Sequence, residues 1–255
     1  MKLDIVTIFP RMVEIVRHEG IVARALESGL VDLATHDLRE FTADRHRVVD
    51  DVPYGGGPGM VLKPEPLFRA VETIRRTRGE PSAIVLMSPQ GQRFDHAAAR
   101  RLARLPHVVV LCGRYEGVDE RVREHLATEE LSIGDYVLTG GELPALVVLD
   151  AVIRLRPGAV GDAQSIEHDS FVRGLLDHPH YTRPPRLDGL GVPEVLQSGN
   201  HRAIRRWRTR EALRRTIERR PELLASVQLD DEERELLREL IEEQEEGATT
   251  HVEHH

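Results

Sequence analysis

The stretch HVVVLCGRYEG, residues 107–117, joins a continuous apolar run to a turn bounded by glycines. Such a run is typical of a strand that is buried on both faces of a parallel sheet. The same arrangement recurs at AIVLMSPQG, residues 83–91, and a third turn-rich segment, IGDYVLTGG, occupies residues 133–141. Open α/β sheets bind ligands beyond the carboxyl ends of their strands, where glycine lets the backbone approach the ligand closely. The three loops therefore indicate a cleft for a nucleoside-like ligand, with ordinary tight turns as an equally weighted alternative.

The rest of residues 1–160 alternates strand and helix patterns around this centre. LDIVTIF, residues 3–9, predicts a strand, and a helical pattern follows from Pro10 to Leu26. Residues 95–105 predict the helix between the two apolar strands, with Asp95 as its N-cap. Residues 142–155 are apolar nearly all round, which predicts a buried helix with Pro144 in its first turn. This alternation predicts an α/β domain with a mostly parallel sheet.

The character of the chain changes after residue 160. Residues 161–176 include a small, polar stretch that predicts a flexible linker, and residues 177–185 are too rich in proline for regular structure. From Asn200 onward the pattern is helical, with Pro221 ending the first helix and Asp230 with Glu233 forming a capping box for the next. We predict a small helical domain over residues 177–246 and a disordered tail over 247–255.

Composition restricts the class of protein. The chain has 255 residues and one cysteine, which excludes an internal disulfide framework and a multi-cysteine zinc site. No apolar run approaches the roughly 20 residues that span a membrane, and the N-terminal sequence lacks the features of a signal peptide. We expect a cytoplasmic protein, in which Cys112 is a buried apolar residue.

Charge is segregated along the sequence, so the net charge of −8 is misleading. Residues 229–246 hold ten acidic residues against two arginines, whereas residues 202–220 hold nine arginines against two acidic residues. We predict a surface that contacts RNA phosphates, made of Arg202, Arg205, Arg206, Arg208 and Arg210. The alternative is a basic helix neutralised by the acidic segment, and both descriptions can hold together.

Common nucleotide and metal motifs are absent. No G-x-G-x-x-G follows the first strand, and no G-x-x-x-x-G-K-[ST] occurs anywhere. YGGGPGM, residues 54–60, fits neither pattern, and we interpret it as a loop that shapes a substrate site, with a purely structural loop as the alternative. His178 and His180 form an H-x-H pair for which we identify no third ligand, so we predict no metal site.

Distinctive sequence blocks occur along most of the chain. They are DRHR 44–47, DD 50–51, 53–60, 88–91, 112–117, 132–138, 140–144, 174–184, SGNH 198–201, IRRWR 204–208 and RRPELL 219–224. Together these blocks closely resemble the bacterial tRNA (guanine-N1)-methyltransferases of the SPOUT superfamily. The resemblance covers residues 1 to about 225 and departs at the strand end Ile84-Val85-Leu86-Met87, where relatives often carry an aromatic residue.

This resemblance implies a trefoil-knotted α/β domain and an obligate homodimer whose active site lies at the subunit interface. It also implies S-adenosylmethionine as the cofactor and, as the substrate, tRNA with guanosine at position 37, next to the anticodon. The implied cofactor-binding residues are Leu86, Met87, Ser88, Pro89, Gly113, Tyr115, Glu116, Gly117, Ile133, Gly134, Asp135, Tyr136, Val137, Leu138, Gly140, Gly141 and Pro144.

The resemblance further assigns two catalytic roles and several RNA contacts. Asp169, in the linker, matches the family's catalytic aspartate and is expected to take the N1 proton of guanine. Arg154 is expected to stabilise negative charge at O6, since a guanidinium donates hydrogen bonds and keeps its own proton. Without the resemblance, these residues read as a solvated acid and as a cation at a helix C-terminus. The implied RNA contacts besides the arginines are Asp50, Gly59, Ser165 and Asn200.

Three rival functions stay open from the sequence. One is a related knotted methyltransferase that acts on ribosomal RNA or on another tRNA position. The second is a non-catalytic RNA-binding module that keeps the fold, and the third is a nucleotide-binding regulator without RNA. The presence of Arg154, Asp169 and the three loops argues against the second, and the arginine-rich region argues against the third.

Overall fold

The computed structural model describes residues 1–161 and 169–252, with side chains described through residue 245. The chain divides into two units, Met1–Ala163 and Gln164–His255, each of which is described by itself below.

The first unit contains a five-stranded sheet in the order β2-β1-β6-β5-β7, and every neighbouring pair of strands is parallel. A short antiparallel hairpin, β3–β4, stands apart from this sheet. The strands of the unit are β1 Lys2–Thr7, β2 Asp32–Asp37, β3 Asp50–Asp51, β4 Val61–Leu62, β5 Ala83–Arg93, β6 His107–Cys112 and β7 Glu129–Ser132. The predicted α/β class with a parallel sheet is confirmed, and the trefoil knot stays a prediction.

Helices follow most strands of the sheet. They are α1 Pro10–Glu14, α2 Gly20–Glu27, α3 Pro64–Arg78, α4 His96–Ala103, α5 Glu120–His125 and α6 Glu142–Arg154, with 3₁₀ turns at Ile15–Arg17 and Leu38–Phe41. The helical pattern predicted from Pro10 to Leu26 is therefore divided between α1, a 3₁₀ turn and α2. The N-cap predicted at Asp95 is confirmed, since its carboxylate accepts a hydrogen bond from the Ala98 amide at 2.8 Å.

Two apolar cores lie on opposite faces of the sheet. Along β6, Val108 and Val110 face one core while Val109 and Leu111 face the other. The first core includes residues of α1, α2, α4 and α6, and the second includes residues of α3 and α5. Because both faces are covered, the central strands are apolar without alternation, which is why their sequences predicted them so directly.

The predicted turn at residues 88–91 is a bulge within β5. Met87 and Gln92 both pair with Leu131 of β7, so the four residues between them loop out of the ladder. At Gly91 the two backbones pass so closely that a Cβ atom would lie 2.5 Å from the Leu131 nitrogen. This close approach requires glycine where the chain rejoins the ladder.

The buried helix predicted at residues 142–155 is α6, and only one of its faces is buried. Ala145, Val148, Leu149 and Val152 are buried, but Leu143 is 49% exposed, as is Val147 one turn later. The apolar sequence of α6 thus has one face in the core and another face whose side chains are half exposed among the described residues.

The second unit is mainly helical. Its elements are the hairpin β8 Arg186–Leu187 and β9 Leu190–Gly191, then α7 Glu194–Gln197, α8 His201–Arg219, a 3₁₀ turn at Pro221–Ala225 and α9 Asp231–Val252. Residues 177–185 have no regular structure, as predicted.

The predicted caps of the second unit are confirmed. Asn200 accepts from the Ala203 amide at 3.1 Å, and Asp230 and Glu233 bond reciprocally at 2.8 and 2.9 Å. Leu213 of α8 packs with Leu236 and Leu240 of α9 in the core of this unit. Among the helices of the described residues, none combines the length and apolar character needed to cross a membrane.

Candidate functional site

A cleft of about 350 Å³ opens beyond Met87 of β5 and the carboxyl ends of β6 and β7. Its size lies at the lower end of the range of about 300–1,000 Å³ that is usual for small-molecule sites. Three segments form most of its wall: residues 86–90, 113–118 and 130–141. The glycine-containing segments identified in the sequence therefore meet at one edge of the sheet.

Nearly all the predicted cofactor-binding residues line this cleft. Asp135 belongs to the same loop as several of them but is not part of the lining. The predicted residues in the lining are Leu86, Met87, Ser88, Pro89, Gly113, Tyr115, Glu116, Gly117, Ile133, Gly134, Tyr136, Val137, Leu138, Gly140, Gly141 and Pro144.

Other lining residues were not identified from the sequence. Gln90, Arg114 and Thr139 lie within the three segments, so closeness to the glycines was the available signal for them, whereas no such signal marks Glu120, Arg123 or Glu130. The residues that were not identified are Gln90, Arg114, Val118, Glu120, Arg123, Glu130, Leu131, Ser132 and Thr139.

Backbone contacts fix the loop at residues 113–117. Tyr115 has a φ of 61° and Gly117 a φ of 126°, so the loop turns through left-handed conformations. The Gly117 amide donates to the Arg114 carbonyl at 3.0 Å. Such conformations aim successive backbone groups toward a ligand.

The glycine-rich loop at residues 54–60 connects β3 to β4 and adjoins the cleft. The Glu116 amide donates to the Met60 carbonyl at 3.0 Å, and a Cβ atom on Gly59 would lie 2.6 Å from Glu116 Cγ. Gly59, a predicted RNA contact, therefore packs against a residue that lines the cleft. Asp50 lies in β3 of the hairpin that this loop closes.

Carboxylates outnumber free cations in the cleft lining. Glu116, Glu120 and Glu130 all line it, and Arg123 forms an ion pair with Glu120. The other cation of the lining, Arg114, is paired with the buried Glu142. This balance favours a positively charged ligand over an oligophosphate, in agreement with the absence of phosphate-binding motifs.

Cys112 forms the last position of β6 beside the cleft and is 1% exposed. Burial, with a smaller contribution from the neighbouring Glu142, raises the pKa of its thiol well above the ordinary value. A protonated, inaccessible thiol is a poor nucleophile, so the structure agrees with its interpretation as a buried apolar residue.

The two predicted catalytic residues belong to different units. Arg154 is the last residue of α6 in the first unit, and Asp169 lies in the second. Ser165, a predicted RNA contact, and residues 162–168 of the predicted linker lie outside the described residues. The roles of Arg154 and Asp169 stay predictions.

The arginine-rich helix α8 is partly neutralised by α9. Arg206 donates to Glu239 at 2.7 Å, and Arg210 donates to Glu243. For Arg202 and Arg205, the part of the chain that the structure describes contains no ion-pair partner. The predicted neutralisation by the acidic segment is therefore confirmed for Arg206 and Arg210, whereas the phosphate-contacting surface stays a prediction. Asn200 caps the same helix.

A second cleft, of about 590 Å³, lies within the helical unit. Arg208 lines it together with Arg183, Tyr181 and His180. Two cations and an aromatic ring are the groups that RNA-binding surfaces use for phosphates and bases.

The statement that the H-x-H pair has no third partner is wrong. Asp177 accepts hydrogen bonds from His178 Nδ1 at 2.6 Å and from His180 Nε2 at 2.7 Å. The three side chains hold potential ligand atoms within 4.8 Å of one another. Both carboxylate oxygens are engaged by the histidines, so hydrogen bonds alone account for this cluster.

The fold and the cleft define a class: α/β proteins with a ligand-sized cleft between loops at the carboxyl edge of a parallel sheet, here joined to a helical unit that carries an arginine-rich helix. Comparison with known proteins narrows the class. The family model described as tRNA (Guanine-1)-methyltransferase TrmD matches residues 1–226. This chain belongs to the tRNA (guanine-N1)-methyltransferase family.

Curated relatives are similar over nearly their whole length. A tRNA (guanine-N(1)-)-methyltransferase of Methylococcus capsulatus is 57% identical over 94% of this chain and 95% of its own. The protein of the same name from Dehalococcoides mccartyi is 52% identical over 96% of this chain and 98% of its own. That of Pelotomaculum thermopropionicum is 55% identical over 94% and 96%. Helix α9 begins at Asp231, beyond the residues that the family model matches.

Proposed function

We propose that this chain transfers a methyl group from S-adenosylmethionine to N1 of the guanosine at tRNA position 37, immediately 3′ of the anticodon. The observation that carries the proposal is the cleft at the carboxyl edge of the sheet in a member of this family. The absence of dinucleotide and triphosphate motifs from the sequence is consistent with S-adenosylmethionine as the cofactor. The single cysteine is consistent with the proposal that the enzyme acts in the cytoplasm.

The cleft residues fit S-adenosylmethionine in charge and in shape. The carboxylates of Glu116 and Glu130 suit the positive charge of the sulfonium and amino groups. Gly113 and Gly117, where a Cβ atom would meet nothing closer than 3.7 Å, leave backbone groups unobstructed for an adenosine moiety. Leu86 and Leu138 supply apolar surface. We assign the residues that line the cleft as those that hold the cofactor.

The bound cofactor supplies a methyl group carried on a sulfonium ion. The residues of the chain then have two further tasks, because the N1 proton of guanine must leave and negative charge grows toward O6. We assign the proton to the carboxylate of Asp169 and the stabilisation of O6 to the guanidinium of Arg154. A positioned base contributes about 10²–10⁴-fold, whereas orienting two substrates contributes roughly 7–11 kcal/mol. Positioning by the cleft therefore accounts for more of the rate than proton transfer does.

The helical unit is proposed to hold the tRNA by its phosphates. Arg202 and Arg205 of α8 are the arginines best suited to this role, because Arg206 and Arg210 are engaged by acidic residues of α9. Phosphate contacts position RNA without reading its sequence. Asp50, Gly59, Ser165 and Asn200 are proposed as further RNA contacts on the basis of the family resemblance.

We also propose a homodimer with the active site at the subunit interface. The half-exposed Leu143 and Val147 lie one turn apart on α6, next to the cleft residue Pro144. Exposed apolar pairs of this kind support an interface between protein surfaces. In a dimer, Arg154 and Asp169 need not come from the same chain.

Methylation of an unmodified tRNA transcript tests the proposal. The wild-type chain is expected to convert the guanosine at position 37 to 1-methylguanosine, detected by nucleoside mass spectrometry. A transcript with adenosine at position 37 is the matched control and is expected to stay unmodified. Methylation of a different position, or of ribosomal RNA alone, would replace this function by that of another knotted methyltransferase.

A further inference from the structure

The carboxylate of Glu142 is a fully buried charge beneath the cleft. It is the first residue of α6 and is 0% exposed. One carboxylate oxygen accepts from the Thr7 hydroxyl at 2.6 Å, and the other accepts from Arg114 Nε at 2.9 Å. Both oxygens are thereby satisfied inside the protein, as a buried charge requires.

The guanidinium of Arg114 connects two of the loops that line the cleft, those at residues 113–117 and 133–141. Arg114 belongs to the loop at residues 113–117, and its Nη1 donates to the carbonyl of Thr139 in the other loop at 3.1 Å. Its Cζ lies 4.5 Å from the centre of the Phe9 ring, which places the cation over an aromatic face. One planar side chain therefore contacts a carboxylate, a loop carbonyl and a ring at once.

Around Arg114 and Glu142, the backbones of the loops at residues 113–117 and 133–141 are in direct contact. Arg114 and Gly140 form an antiparallel bridge, and the Gly141 amide donates to the Gly113 carbonyl at 2.8 Å. A Cβ atom on Gly140 would lie 2.7 Å from Arg114 Cζ. Glycine at position 140 is required because the Arg114 side chain occupies the space of a side chain there.

We propose that Arg114 and Glu142 are positioning residues that fix the loop at 133–141 against the loop at 113–117 and thereby set cofactor affinity. The inference rests on the proposed function only in naming S-adenosylmethionine as the ligand. Thermal stability alone does not explain the pair, because buried ion pairs replaced by apolar residues of similar volume are often neutral in stability. What apolar residues cannot replace is the hydrogen bond that holds the Thr139 carbonyl.

The test compares cofactor affinity with folding stability in the full-length protein. The double variant R114M/E142L removes both charges, and Arg114→Lys keeps the charge for Glu142 but loses the planar fork that also reaches Thr139. We expect both variants to bind S-adenosylmethionine about tenfold or more weakly by calorimetry, while the melting temperature of Arg114→Lys falls by only a few degrees, about 2–4 °C. Arg75→Met, which removes an exposed ion pair of α3, is the matched control and is expected to bind like wild type.

The outcomes are distinct. Wild-type affinity in Arg114→Lys overturns the positioning role, as does wild-type affinity in the double variant, because either would make the pair merely structural. If the double variant does not fold, Arg114→Lys decides the question by itself. A wild-type chain that binds no S-adenosylmethionine refutes the proposed function, and this result is visible before any variant is compared.

Discussion

Replacing Gly113 by alanine distinguishes the role of this residue in cofactor binding from its role in folding stability. A Cβ atom at this position would meet only the Met87 carbonyl oxygen and a methyl group of Val118, each at 3.7 Å. These are ordinary van der Waals distances, and the backbone at Gly113 is not in the left-handed region. The protein itself therefore accommodates the methyl group, which would occupy space at the wall of the cleft.

The expected effects on stability and affinity have opposite signs. Where the native conformation suits alanine, the change from glycine stabilises by about 0.4–1 kcal/mol through the unfolded chain, a rise of roughly 1–4 °C in Tm for a chain of this size. An extra methyl group against a closely fitting ligand costs about 1–3 kcal/mol. This cost corresponds to an S-adenosylmethionine Kd that is roughly 5- to 150-fold higher.

Calorimetry with S-adenosylmethionine and thermal unfolding provide the two readouts. Gly191→Ala, where a Cβ atom would meet nothing within 4 Å, is the control and is expected to leave affinity unchanged. Gly141→Ala is the opposite case, because its Cβ atom would lie 2.8 Å from Cys112 Cα, so stability should fall as well. Wild-type affinity in Gly113→Ala would refute the argument that this glycine is needed at the wall of the cleft.

Three further predictions follow from the same structure. Asp169→Ala should keep S-adenosylmethionine binding but lose about 10²–10⁴-fold in single-turnover methylation rate; near-normal turnover would remove Asp169 from its role as the base. Arg205→Ala should weaken tRNA binding and lower the slope of log affinity against log salt by about 0.7–0.9, and an unchanged slope would argue against a phosphate contact. Burial alone would raise the pKa of Asp4, but hydrogen bonds from His36, Arg78 and His107 outweigh burial and hold it below its ordinary value of 3.8. Because that pKa is lowered by folding, Asp4 contributes stability above the unfolded pKa and loses it as pH falls through the native one. Asp4→Asn should therefore lower the free energy of unfolding, measured with urea at pH 7, by about 3 kcal/mol, and the difference should be smaller in acid. Asp32→Asn, which changes the exposed second partner of Arg78, should lower it by less than about 1 kcal/mol.

The sequence predicts the central strands and the helix caps well because each depends on local chemistry. His107–Cys112 is a strand with the predicted bounds, since a continuous apolar run is typical of a strand buried on both faces. Asp95 and Asn200 accept the cap hydrogen bonds expected of them. In contrast, Asp32–Asp37 forms strand β2 at the edge of the sheet although its sequence has no continuous apolar run that would predict a strand.

The parts of the site that the sequence did not predict depend on contacts distant in the chain. Arg114 reads as one charged residue in a turn, and its contacts with Glu142 and Thr139 become visible only in the folded chain. The bulge at residues 88–91 depends on the pairing of both Met87 and Gln92 with Leu131 of β7. The contacts of Asp177 are a further example, because its two carboxylate oxygens accept hydrogen bonds from His178 and His180 only in the folded loop.

Hydrogen exchange measured with and without S-adenosylmethionine tests most directly the claim that the cleft at the strand ends holds the cofactor. Amides of residues 86–90, 113–118 and 131–141 should exchange more slowly in its presence, while those of α8 stay unchanged. Protection confined to the cleft of the helical unit around Tyr181 and Arg208, or no protection in any segment at saturating cofactor, would contradict the claim.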